Sequence, residues 1–160
     1  MAKATLAELE SAAELVHGVM PATPEIAWPL LGERSGAEVW VKHENHTPIG
    51  AFKLRGGLVY MSDYAGRNRN GPGVITATRG NHGQSVAFAA GRLGLAATIV
   101  VPEGNSTEKN AAMAALGARL IVHGHDFQAA YEHAVARAAG DGLHLLPSFH
   151  PLLVSGVGTY

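Results

Sequence analysis

Lys53 lies in the run Asn45-His46-Thr47-Pro48-Ile49-Gly50-Ala51-Phe52-Lys53-Leu54-Arg55-Gly56-Gly57. Leu54, Leu58 and Met61 recur at helical spacing, so a helix is expected to begin near Ala51 with Lys53 in its first turn. The positive end of the helix dipole opposes an ammonium charge there, and an uncharged amine is what Schiff-base chemistry requires. Position alone still favours the plainer alternative, a lysine solvated on a helix surface. A second polar run, Thr78-Arg79-Gly80-Asn81-His82-Gly83-Gln84-Ser85, follows a short apolar stretch and leads directly into another helix. Its glycines let backbone approach a ligand, and the helix N-terminus offers N–H groups to an anion. The alternative is a tight turn with a polar lining. The run matches neither G-x-G-x-x-G nor the phosphate-binding P-loop, so nucleotide binding is not indicated.

The elements that must carry these runs follow from hydrophobic periodicity. Leu6, Leu9, Ala13, Val16 and Met20 predict a first helix. Pro21, Pro24 and Pro29 then predict an extended connector, and Glu38 to Glu44 reads as a strand. Four apolar runs follow, at Val74–Ala77, Thr98–Val101, Arg119–Val122 and Leu143–Leu146. Helical patterns separate them: one with Val86, Ala89, Ala90 and Leu93, one capped by Ser106 or Thr107 and stopped at Gly117, and one capped by Asp126. The last carries a stripe of Phe127, Ala130, Tyr131, Ala134, Val135 and Ala138, closed by Gly140. Apolar runs without alternation mark parallel strands buried on both faces. The expected fold is therefore α/β: an open, largely parallel twisted sheet with helices on both faces, a three-layer α/β/α arrangement. Ligands of such sheets sit at the carboxyl ends of the strands, where the Thr78 run falls.

Lys42-His43-Glu44-Asn45 continuing through Pro48-Ile49-Gly50-Ala51-Phe52-Lys53-Leu54-Arg55-Gly56-Gly57 resembles the pyridoxal-phosphate signature of the threonine/serine dehydratase group, within the fold-type II, tryptophan-synthase-β-like enzymes. Gly80-Asn81-His82-Gly83-Gln84 resembles the group's second signature, and Val101-Pro102-Glu103 with Lys109 and Gly117-Ala118 a third. The resemblance extends from about Ala22 to Tyr160. It implies a pyridoxal 5'-phosphate lyase in which Lys53 is catalytic and holds the cofactor as a Schiff base. Phe52 would pack beside the pyridine ring, and Asn81 would hydrogen-bond its 3-hydroxyl. The loop Thr78, Arg79, Gly80, Asn81 and His82 would take the substrate carboxylate. The implied reaction converts a β-hydroxy amino acid, L-threonine or L-serine, to a 2-oxo acid and ammonia. Threonine synthases and sulfhydrylases fit less well, because Asn81-His82-Gly83-Gln84 follows the dehydratase form of the loop.

Two features depart from that pattern. Arg79 stands where similar serine racemases carry an acid/base serine, and arginine effectively never deprotonates, so racemisation is disfavoured. Its guanidinium could pair with a second carboxylate, as in a 3-hydroxyaspartate ammonia-lyase. The other departure is Gly156-Val157-Gly158-Thr159-Tyr160, which resembles the start of the segment leading into the family's second half. The glycine-rich phosphate cup belongs to that half. The resemblance thus divides the chain into residues 1–50 and 147–160, parts of a larger domain, around a small α/β domain at 51–146. Apolar surface on the flanking parts is expected to lie uncovered, and the 160-residue chain by itself to bind cofactor weakly. A non-catalytic α/β remnant that binds an anion or a partner is the reading of another class.

The remaining composition narrows the field. The chain has no cysteine, which removes disulfides and thiolate chemistry and makes a reducing cytoplasm the expected location. With 12 basic and 13 acidic residues, nucleic-acid binding has no support. No apolar run approaches the roughly 20 residues of a membrane span. Nine histidines include His123 with His125 and His43 with His46, but neither pair offers the three or four ligands of a zinc site, so no metal is expected. A Ser-His-Asp hydrolase lacks its G-x-S-x-G elbow. The expected partner is a small amino-acid substrate, with a homo-oligomer among the states the resemblance implies.

Overall fold

Thr5 starts the first helix through a reciprocal cap: its hydroxyl accepts from Glu8 N–H at 3.3 Å, and Glu8 Oε2 accepts from Thr5 N–H at 2.7 Å. The computed structural model describes residues 4–68 and 71–160. Helix α1, Leu6–His17, ends at Gly18, earlier than the periodicity predicts. Met20 is nevertheless buried, because its N–H returns to Val16 O in the closing turn.

The proline-rich connector is more structured than expected. β1, Glu25–Ala27, pairs antiparallel with β2, Trp40–Lys42, and between them α2 covers Pro29–Ser35. Pro29 begins this helix rather than preventing it, since a first-turn residue has no intrahelical use for its missing N–H. The expected strand at Glu38 to Glu44 shortens to three residues, and Glu44–His46 forms a 3-10 turn. On this segment Ile26, Trp28, Leu30, Leu31 and Trp40 are exposed, as is Phe149 further along.

The rest of the chain is the parallel α/β unit. It runs α3 Lys53–Arg67, β3 Val74–Ala77, α4 Asn81–Arg92, β4 Ala97–Val101, α5 Thr107–Ala115, β5 Arg119–Val122, α6 Phe127–Asp141, β6 His144–Leu145 and α7 Pro151–Val157. The four strands are parallel in the order β5-β4-β3-β6. Alternate strand residues feed the two faces. Ile75, Ala77 and Val100 pack with Ala130 and Ala134 of α6, while Ile99 and Val101 pack with Ala87 of α4 and Met113 of α5. Three layers result, as the apolar runs imply. Asp126 caps α6 by accepting from Ala129 N–H at 2.8 Å. The stop is Gly142, at φ 66°, and not Gly140; a left-handed position is where glycine is needed. Phe127, Tyr131 and Val135 leave the expected stripe partly exposed, because only the alanine edge of α6 meets the sheet.

β3 is the switch point of this sheet. The chain leaves it toward β4 and β5 on one side, and returns through α6 to place β6 on the other. A crevice at the strands' carboxyl ends is the expected consequence. No helix among the described residues is long and apolar enough to cross a membrane.

Candidate functional site

Two helices begin beside that crevice. Phe52 is the N-cap position of α3, so Lys53 is its first residue, as the spacing predicts. The loop before it is pinned by Thr47, whose hydroxyl accepts from Ala51 N–H and donates to Ala51 O, both at 2.9 Å. Ser85 of α4 donates to the Lys53 carbonyl at 2.7 Å, which fixes the Lys53 backbone against the neighbouring helix. A Cβ on Gly57 would lie 2.0 Å from the Ser85 hydroxyl oxygen, so this contact requires glycine there. The Lys53 amine sits 5.5 Å from the centre of the Phe52 ring.

The second run leaves β3 as a turn closed by Gly80 N–H donating to Thr78 Oγ1 at 3.0 Å. Gly80 has no side chain to cap α4, so the first-turn N–H groups of Asn81, His82 and Gly83 stay available. The stem of Lys109 lies along Gly80, with its Cδ 2.6 Å from where a Cβ would stand. Thr78 is buried, whereas Arg79 and Asn81 are exposed. The Asp126 carboxyl is held below its ordinary range, first by the Ala129 N–H and to a smaller degree by the Arg79 charge.

Lys53, Phe52 and His82 meet in one cavity of about 200 Å³, completed by Ser148, Phe149 and Val157. Sequence reasoning missed Ser148 and Phe149, which arrive from the loop after β6; only the switch-point topology brings them here. His82 is 9% exposed, and its Nε2 has no hydrogen-bond partner among the described residues. A buried nitrogen left unpaired in a cavity is a position where a ligand atom can serve as partner. Burial, and secondarily the Lys53 charge, push the imidazole down to about 4. It is uncharged at neutral pH and does not repel the lysine.

This shift fixes a pH dependence. Between the ordinary value of 6.5 and about 4, the unfolded chain binds the proton that the folded chain excludes. The His82 contribution to stability is therefore complete above pH 6.5 and falls, by on the order of 3 kcal/mol, as the pH drops toward 4. NMR titration should find the His82 ring near 4, and His82→Gln should flatten the stability slope over that window. An unchanged slope would show that burial of this ring is not its source.

Sequence reasoning also missed the role of Arg55, which is fully buried and paired with Glu44. The signal was there to find, since a charged residue directly follows Leu54 on the buried side of the helix. Burial by itself would raise the Glu44 carboxyl, but the Arg55 and Thr23 hydrogen bonds and the Arg55 charge outweigh it, so the group is lowered.

The family described as "Pyridoxal-phosphate dependent enzyme" matches residues 18–160. The chain belongs to this family. Among curated members, the biosynthetic L-threonine dehydratase of Haemophilus influenzae is 34% identical over 145 residues, 90% of this chain and 28% of that protein. The L-threo-3-hydroxyaspartate ammonia-lyase of Saccharomyces cerevisiae is 33% identical over 156 residues, 97% of this chain and 48% of that protein. Among solved structures, the processed form of threonine deaminase isoform 2 from Solanum lycopersicum superimposes with a TM-score of 0.84 at 34% identity, over 98% of this chain and 47% of that one. This family member thus spans 28% to 48% of the lengths of these relatives.

Proposed function

We propose that the protein is a pyridoxal 5'-phosphate-dependent ammonia-lyase that converts a β-hydroxy amino acid, L-threonine or L-serine, to a 2-oxo acid and ammonia. The observation that carries this reading is the shared cavity of the Lys53 amine and the unpaired His82 Nε2, beside the open N-terminus of α4. The residues fit the cofactor: an amine to join its aldehyde, Phe52 to flank its ring, and exposed Asn81, at the start of α4 next to His82, to meet its hydroxyl. When bound, the cofactor supplies an electron sink for the carbanion at the substrate α-carbon.

The protein's own groups do the rest. Lys53 Nζ, at the start of α3, serves first as nucleophile and then as the base that takes the α-proton. The N–H groups of Asn81, His82 and Gly83 hold the carboxylate in the orientation that this proton transfer needs. Uncharged His82 leaves Lys53 as the basic group of the cavity. Phe52, Phe149 and Val157 give this cavity an apolar lining beside the amine. The substrate loses one water at the β-carbon and regains one when the amino group departs as ammonia, so atoms balance.

A second reading, 3-hydroxyaspartate as substrate, is favoured by exposed Arg79 at the end of β3 and by the similarity to the yeast enzyme. The small α/β domain at 51–146, flanked by 1–50 and 147–160, belongs to the same proposal. So do a homo-oligomeric assembly and, on the absence of cysteine, a cytoplasmic location. The test is 2-oxo acid release by the gene-encoded protein from threonine, serine and 3-hydroxyaspartate, with and without Arg79→Ala. Turnover of threonine or serine that Arg79→Ala leaves unchanged supports the first reading, and a selective loss on 3-hydroxyaspartate the second. No 2-oxo acid from any of them, with cofactor bound, overturns both.

A further inference from the structure

Arg55, two residues beyond Lys53, is 0% exposed. Its Nε donates to Glu44 Oε2 at 2.7 Å and its Nη2 to Glu44 Oε1 at 2.9 Å. Nη1 donates to the Thr159 carbonyl at 2.9 Å, and Nη2 also reaches Thr23 Oγ1 at 3.3 Å. The Thr23 hydroxyl in turn donates to Glu44 Oε1 at 2.6 Å. A buried ion pair is weak evidence of stabilisation, because desolvation of both charges offsets their attraction and apolar residues of similar volume often do as well. What a guanidinium adds is direction: five N–H groups in a rigid plane that set where each partner must lie.

Those partners lead to the walls of the lysine cavity. Glu44 opens the 3-10 turn that precedes the Phe52 loop. Thr159 follows α7, whose Leu153 and Val157 line the cavity. Arg55 itself belongs to the helical turn that Lys53 begins. A shift of the guanidinium would therefore move the Phe52 loop and α7 relative to the amine, and misplacement on the scale of 1 Å can cost about 10²-fold in rate.

We propose that Arg55 is a positioning residue, which through Glu44 and Thr159 holds the Phe52 loop and α7 in register with the Lys53 amine. The inference rests on the reading of Lys53 as the reacting amine. Its test uses Arg55→Lys, Glu44→Gln and Thr23→Val in the gene-encoded protein, with two readouts. In cofactor-free protein, Lys53 is labelled by an amine reagent and quantified by mass spectrometry against exposed Lys109. The expected result is a rise of at least threefold in the Lys53-to-Lys109 ratio for Arg55→Lys and Glu44→Gln, with a smaller rise for Thr23→Val. With cofactor and threonine, kcat per bound cofactor should fall about tenfold or more in the first two variants while KM changes less than twofold. Unchanged labelling together with unchanged kcat per bound cofactor overturns the proposal, even where thermal stability drops. Should Arg55→Lys fail to fold, Glu44→Gln and Thr23→Val decide the matter. The labelling readout needs no turnover, so it fails or succeeds independently of the lyase reaction.

Discussion

Lys53→Ala is expected to abolish 2-oxo acid release, with a loss of about 10³-fold or more, and to remove the visible absorbance that the wild-type protein acquires from pyridoxal 5'-phosphate. Both effects have one source, since the same nitrogen would join the cofactor and move the α-proton. The fold should survive the change. The Lys53 side chain is half-exposed and rests on the Phe52 ring, while the bond that ties this position to α4 uses its backbone carbonyl. Equal thermal melting of the cofactor-free variant and wild type is therefore part of the prediction. Retained turnover would sink the assignment of Lys53, and a large fall in melting temperature would make the loss of activity uninformative about chemistry.

The second large effect is on stability. α3 and α7 approach through a pair of glycines: a Cβ on Gly156 would lie 2.4 Å from Arg55 O and 2.6 Å from Gly56 Cα. Both obstacles are backbone, which cannot swing aside as a side chain can. Gly156→Ala is expected to destabilise by about 3 kcal/mol, or roughly 6–12 °C in melting temperature, despite the better helix propensity of alanine. Gly140 supplies the control. It too lies within a helix, α6, yet nothing stands within 4 Å of its Cβ position. There the same substitution should be neutral or stabilising by up to about 1 kcal/mol. Calorimetry on the two variants separates close packing from propensity, and equal melting shifts would refute the packing argument.

How much was legible beforehand differs by element. The four strand runs, the cap at Asp126 and the start of α3 at Lys53 are local patterns, and each stands where periodicity puts it. Pro29 misled because proline forbids a helix interior but suits its first turn, and the difference depends on what lies before it. Of the candidate site residues, Lys53, Phe52 and His82 share a cavity, Thr78 and Gly80 form the turn into α4, and Arg79 and Asn81 face solvent. Nothing in the local pattern distinguishes the exposed members from the buried ones.

The sequence by itself determined the layer architecture and the two chemical loops, because hydrophobic period, caps and turn residues act over a few neighbours. Only the tertiary structure decided which groups those loops would face. The bond from Arg55 to the Thr159 carbonyl spans 104 positions, Phe149 enters the cavity from the loop after β6, and Gly156 matters because another helix lies against it. Such contacts depend on how finished helices stack on the sheet, and that packing is set by the shapes of distant surfaces together rather than by any one stretch of chain.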